Sequence, residues 1–95
     1  MLSFEWNKDK ARRNARKHGI TFDEALSVFF DENAVQFWDD EHSGDESRYI
    51  LLGLSSKLRL LVVVHTEREH GRVIRIISAR RATPSERRHY RTGRR

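Results

Sequence analysis

At 95 residues the chain has room for one domain, spanning 1–95, with a single modest core, and none for a deep cavity or a pair of subdomains. It is 37% hydrophobic and 35% charged, with 19 Lys and Arg against 14 Asp and Glu, a net charge of +5 that favours a polyanionic partner. The absence of cysteine excludes disulfide frameworks, thiolate chemistry and Cys-based zinc sites. It fits a reducing compartment.

Leu2 to Trp6 alternates apolar and polar residues and predicts a short edge strand, with Asn7 placed to cap the helix that follows. That helix is expected from about Lys8 to His18, stopped by Gly19. It carries Lys8, Lys10, Arg12, Arg13, Arg16 and Lys17 against Asp9 alone, with a thin apolar side at Ala11 and Ala15. Thr21-Phe22-Asp23-Glu24 reads as a capping box, and Phe22, Ala25, Leu26, Phe29 and Phe30 recur at helical spacing as core. Ala34 to Trp38 resumes strand alternation and leads into an exposed acidic loop, residues 39–46. Seven carboxylates lie between Asp31 and Glu46, without the ligand cadence that calcium requires.

Three strands are expected at Arg48 to Ser55, Leu58 to Glu67 and Arg72 to Arg81. Short turns near Ser56-Lys57 and Glu69-His70-Gly71 join them into an antiparallel meander. Leu60 to Val64 is apolar on both sides, as a central strand covered on both faces must be, and is far too short to cross a bilayer. A β-rich run ending in Arg80-Arg81 meets Thr83-Pro84-Ser85-Glu86, which is an N-cap, a first-turn proline and a closing glutamate. The last helix is expected from Pro84 to about Tyr90. The fold class is therefore α+β, N-terminal helices packed on an antiparallel sheet with a short C-terminal helix. With no apolar leader at the N-terminus, a cytoplasmic protein off the membrane is expected.

His18, His42, His65, His70 and His89 show no i, i+4 pair and no accompanying ligand cluster, and there is no glycine-rich phosphate loop or nucleophile elbow. Neither a metal nor a cofactor is implied. What remains is a set of basic and proton-transferring groups near strand ends: His65, Glu67 and Arg68, then Arg80 and Arg81, with Tyr90 on the closing helix. Such a set suits cleavage of RNA without a metal. A base takes the 2′-hydroxyl proton, an acid protonates the leaving oxygen, and cations face the charge that builds on phosphorus. His65, Glu67, Lys17, Arg68 and Arg80 are the catalytic candidates; Lys10, Arg13, Arg48, Arg81 and Tyr90 are the candidates for holding RNA. Each has a quieter alternative, such as a packed strand histidine, a glutamate paired across the turn, or a tyrosine pinning the last helix.

Several blocks carry a resemblance: Phe4-Glu5-Trp6 with Lys10 and Asn14, Lys17-His18-Gly19 with Phe22, Glu24-Ala25 and Val28-Phe29, then Arg48, Gly53 and Ser55, Val62-Val63-Val64, Thr66-Glu67-Arg68, Arg75-Ile76-Ile77-Ser78-Ala79-Arg80, Ala82, and Glu86-Arg87 with Tyr90. From Phe4 to Tyr90 the chain resembles the BrnT toxins of type II BrnT/BrnA toxin–antitoxin systems. That resemblance implies a RelE-like fold and a bacterial ribonuclease that blocks translation by cutting RNA, free or on the ribosome. It also implies a BrnA-type DNA-binding antitoxin as partner in a hetero-oligomer, with a toxin dimer as a further option. By similarity the functional region includes Lys17, Thr66-Glu67-Arg68 and Arg80. Family members usually carry aspartate after the tryptophan, where this chain has Asn7, which keeps the capping oxygen and loses the charge. The competing class is a basic module that binds nucleic acid or protein without catalysis.

Overall fold

In the computed structural model, which describes residues 2–41, 44 and 47–93, the elements are β1 (Ser3–Glu5), α1 (Lys8–His18), α2 (Phe22–Ser27) followed by a 3-10 turn (Val28–Phe30), β2 (Val35–Trp38), β3 (Arg48–Leu54), β4 (Leu60–Arg68), β5 (Val73–Arg81) and α3 (Pro84–Thr92). Of the acidic loop, residues 42, 43, 45 and 46 lie outside the described residues.

The boundaries of α1 follow from its caps. Asn7 Oδ1 accepts from the Lys10 amide at 3.0 Å. Gly19 takes φ +71, the left-handed region where a Cβ is penalised, and its N–H reaches the Ala15 carbonyl. At Thr21 only half of the expected capping box forms. The hydroxyl accepts from the Glu24 amide, but the Glu24 carboxylate turns inward to Arg59 and Ser55 instead of back to the cap. The expected helix through Phe30 narrows to a 3-10 turn after Ser27. The Ser27 hydroxyl donates to the Glu24 carbonyl, a back-bond that bends helices, and accepts from the Ser56 amide. Leu58 sits at φ +59 within the turn, so β4 begins at Leu60 and not at Leu58.

The five strands form one sheet in the order β1-β5-β4-β3-β2. β2 to β5 make the antiparallel meander that the turns dictate, but β1 pairs with β5 in parallel, so the sheet is mixed. No tight turn joins β1 to its neighbour. Ser3, Phe4 and Glu5 pair with Val73, Ile74 and Arg75, and nothing local forces the antiparallel sense. α1 and α2 cover one face, over a core of Ile20, Phe22, Ala25, Val28, Leu51, Leu61, Val63, Ile74, Ile76 and Ala79. α3 covers part of the other, over Leu52, Leu60, Val62 and Ala82 with Phe37, Ile50 and Tyr90. Both faces of the middle of β4 are thereby buried, as its composition requires.

β1 is too short to pair with β5 beyond Arg75, and Asn14 takes over the edge. From the buried face of α1 its amide donates to the carbonyls of Ala79 (2.8 Å) and Ile20 (3.0 Å) and accepts from the Ala79 N–H (3.1 Å). One side chain thus satisfies a strand edge and ties helix, loop and sheet together. Asn14→Ala leaves those buried backbone groups unpaired and is expected to cost about 2–3 kcal/mol, read as a lower urea midpoint with an unchanged slope.

Candidate functional site

Strand alternation decides which side chains share a surface, because directly opposed residues project from the same face. Arg48, Thr66, Arg75 and Glu5 are in register across four strands, and Arg80 opposes Val62 two positions along β4 from Val64. All project from the face that carries α3. Ile77 is the extra residue of a bulge in β5, since Val64 opposes Ser78 while His65 opposes Ile76. The bulge keeps Arg75 and Arg80 on one face although an odd number of positions separates them. α3 leaves this face open towards the Arg68 end of β4. A cleft of about 300 Å3 there has a floor of Ile50, Val64, Ile77 and Ser78, with Arg48, Asp39 and Glu41 around it. A second depression of about 270 Å3 adjoins it at Ile50 and runs under the flank of α3 past Phe37, Leu52, Val62, Glu86 and His89.

Arg80, on the same face, is held by Glu86, which lines the second depression. Its guanidinium forks onto Glu86, with Nη1 to Oε1 and Nη2 to Oε2 both at 2.9 Å. Glu86 also accepts from the Thr83 N–H at 2.8 Å, while Thr83 Oγ1 accepts from the Glu86 amide. The expected capping box at the start of α3 is thus complete. Hydrogen bonds from Arg80 lower the Glu86 pKa to about 2 against the opposing effect of burial. Glu86 is therefore a fixed anion that orients Arg80, too weak a base to take a proton from a hydroxyl. His89 lies three residues on along the helix and exposed, its ring edge-on to Phe37 at 6.1 Å. At the upper margin Glu5 holds both Arg75, at 3.0 Å, and Arg68.

The remaining sequence candidates are not all brought to this face. His65 and Glu67 project to the α1–α2 side. His65 is fully buried, stacked on Tyr49 at 5.7 Å and edge-on to Phe29 at 4.8 Å, with Nε2 at 3.1 Å from Glu67 Oε2. Burial lowers its pKa, opposed by Glu67. A ring so enclosed does not reach solvent in this fold, so the expected catalytic role of His65 has no exposed ring edge behind it. Lys10, Arg13 and Lys17 are exposed on α1, on the far side of the sheet from the cleft, and Arg81, opposite Leu61, points to that side as well. The Tyr90 hydroxyl donates to Asp31 Oδ2 at 2.7 Å, and burial followed by that carboxylate pushes its pKa up to about 12. Asp31 also accepts from the amides of Asn33 and Leu54, so Tyr90 pins α3 to the end of β3. Its hydroxyl is thereby committed to the fold, while its ring lines a cleft with Leu54 and Leu60.

His89 and Arg75 are absent from the sequence candidates. Arg75 could have been found only from the parallel pairing with Glu5. His89 carried a local signal, its i, i+3 spacing from a capping glutamate that faces the preceding strand. Among the described residues no group of three or more His, Asp or Glu lies together in a way that could hold a metal ion, and no helix is long and apolar enough to cross a membrane.

The model of a family described as the ribonuclease toxin BrnT of type II toxin–antitoxin systems matches residues 6–86. Among solved structures, the crystal structure of the Brucella abortus ribonuclease toxin BrnT matches with a TM-score of 0.67. At 20% sequence identity, over 87% of this chain and 99% of that one, this is a likeness of fold. A comparison with curated proteins returns no match.

Proposed function

The chain belongs to the BrnT family of ribonuclease toxins of type II toxin–antitoxin systems, and from that premise we propose that it cuts RNA on the open face of its sheet without a metal ion, arrests translation by doing so, and is neutralised by a BrnA-type antitoxin. The observation that carries the reading is the Arg80–Glu86 fork, whose Glu86 lines the depression adjoining the apolar floor at Ile50, on the same face as Arg48 and Arg75. In this reading a base splayed on Ile50, Val64 and Ile77 leaves its 3′-phosphate against Arg80 and Arg48. The 2′-oxygen attacks phosphorus, its proton passes to a base, the bond to the 5′-oxygen breaks, and an acid protonates the departing oxygen. The guanidiniums face the charge that accumulates on the non-bridging oxygens.

His89, which lines the depression beside Glu86 and Phe37, is the side chain this reading assigns to exchange the proton. His65 and Glu67 act from behind the sheet as positioning residues, holding Tyr49 and the β3–β4 pairing. Arg68 contributes through Glu5 and Arg75. Lys10, Arg13, Lys17 and Arg81 form a separate basic surface for the backbone of a longer RNA. The likeness to a solved BrnT and the antiparallel β2–β5 unit support a RelE-like description of the fold.

The test is cleavage of single-stranded RNA by the purified protein in excess EDTA. Cleavage is expected to persist in EDTA and to fall about 100-fold in His89→Gln. Loss of all activity in EDTA, restored by a divalent ion, would overturn the metal-free mechanism. Full activity in His89→Gln would remove that residue from the site.

A further inference from the structure

The arginines described differ in how they are held. Arg12, Arg59, Arg68, Arg75 and Arg80 each hold a carboxylate. Arg87, Arg88 and Arg91 have no ion-pair partner among the described residues, and all three are exposed on α3. They nevertheless converge. Together with Leu54, Leu60, Pro84 and the Tyr90 ring they line a cleft of about 370 Å3 on the flank of α3 opposite His89 and Glu86.

We propose that this cleft is a second RNA subsite, in which the unpaired guanidiniums of Arg87, Arg88 and Arg91 hold the phosphates of the strand flanking the cut while a base rests against Leu54, Leu60 and Tyr90. The proposal rests on the reading of the open sheet face as the place of cleavage. Two observations commit the occupant to RNA. Three forked cations without counter-charge beside an apolar floor match what a single strand offers, regularly spaced anions alternating with flat apolar bases. The same helix also forms one wall of the catalytic depression, so a strand leaving that depression needs only to cross α3 to reach the second cleft. Arg80 is oriented by a carboxylate, as a residue acting on one atom must be. The arginines of the second cleft are exposed and held by no carboxylate among the described residues, as suits a grip on a flexible backbone of any sequence.

The experiment measures binding of a single-stranded 2′-deoxy oligonucleotide of about 12 nucleotides, which lacks the attacking hydroxyl, by fluorescence anisotropy over a range of salt. Simultaneous replacement of Arg87, Arg88 and Arg91 by alanine is expected to make the dependence of log K on log salt shallower by about two, because each phosphate contact on a single strand contributes about 0.7. Replacement by lysine should restore the slope. Among the described residues none of the three side chains makes a hydrogen bond, so the variants should melt with the wild type. An unchanged slope in the alanine variant overturns the proposal. So does a variant that binds the oligonucleotide normally but no longer binds poly-glutamate, which would assign the cleft to an acidic protein segment. The readout requires no cleavage, so failure of this subsite and failure of the ribonuclease mechanism remain distinguishable.

Discussion

Arg80→Ala is expected to lower RNA cleavage by about 100- to 1,000-fold, the range found when one preorganised donor to a developing oxyanion is removed. The loss should fall in kcat, because the fork onto Glu86 fixes where the charge sits before RNA arrives. Arg80→Lys keeps a cation but cannot match both carboxylate oxygens, and should recover only part of the activity. Stability should hardly move. The Arg80 side chain is 42% exposed, pairs of that kind contribute about 1 kcal/mol or less, and the reciprocal bonds between Thr83 and Glu86 do not need it. A variant that melts like the wild type and still cleaves at full rate would exclude Arg80 from the reaction.

Arg59→Ala carries the largest expected cost in stability, read as a lower denaturant midpoint, because it leaves the nearly buried Glu24 carboxylate without its cation. Glu24, 3% exposed, is held by Arg59 through Nε at 2.9 Å and through Nη2, and by the Ser55 hydroxyl at 2.7 Å. These bonds join α2 to the β3–β4 turn. Glu24→Gln should cost less, since Arg59 keeps some access to water and an amide can still accept one hydrogen bond.

The same groups set an acid limit on the fold. Hydrogen bonds from Arg59 lower the Glu24 pKa. Its contribution is therefore complete above the unfolded value of about 4.5 and is lost as pH falls through the lower folded value. His65 is buried neutral with a lowered pKa, so its contribution is complete above about 6.5 and is lost as pH falls below it. Denaturant midpoints should thus decline in two stages on acidification, and replacing His65 by a neutral residue of similar volume should remove the first. A single stage starting below pH 5 in the wild type would contradict the burial of an uncharged imidazole.

What could be read from the sequence is what short-range chemistry specifies. Asn7, Gly19 and Thr83 fix helix ends through bonds that span three or four residues, and all three caps form as expected. The turns between β3, β4 and β5 leave no alternative to antiparallel pairing. The direction of β1 was not legible, because three residues pairing with Val73 to Arg75 carry no local signal of sense. The inward turn of Glu24 escaped for a similar reason, since its partner lies 35 residues away.

The site was legible in part. Arg48 and Arg80 share the face that carries α3, but the bulge at Ile77 that puts Arg75 on that face too leaves no mark in the composition of β5. His65 looked available because a histidine in a strand can project either way. Phe29 and Tyr49 decide the matter, and only the docking of the turn after α2 brings Phe29 there.

The parallel seam between Ser3–Glu5 and Val73–Arg75 also bears on biosynthesis. Ser3–Glu5 is translated before both N-terminal helices and before β2 to β4, and its seat on β5 only after them. At about 5–20 residues per second the two are separated by several seconds, during which neither the seam nor the Asn14 lock on Ala79 can close. A nascent chain therefore cannot present Arg75 and Arg80 together on a finished sheet until the whole of Val73–Arg81 has left the ribosome, long after the residues that will flank it.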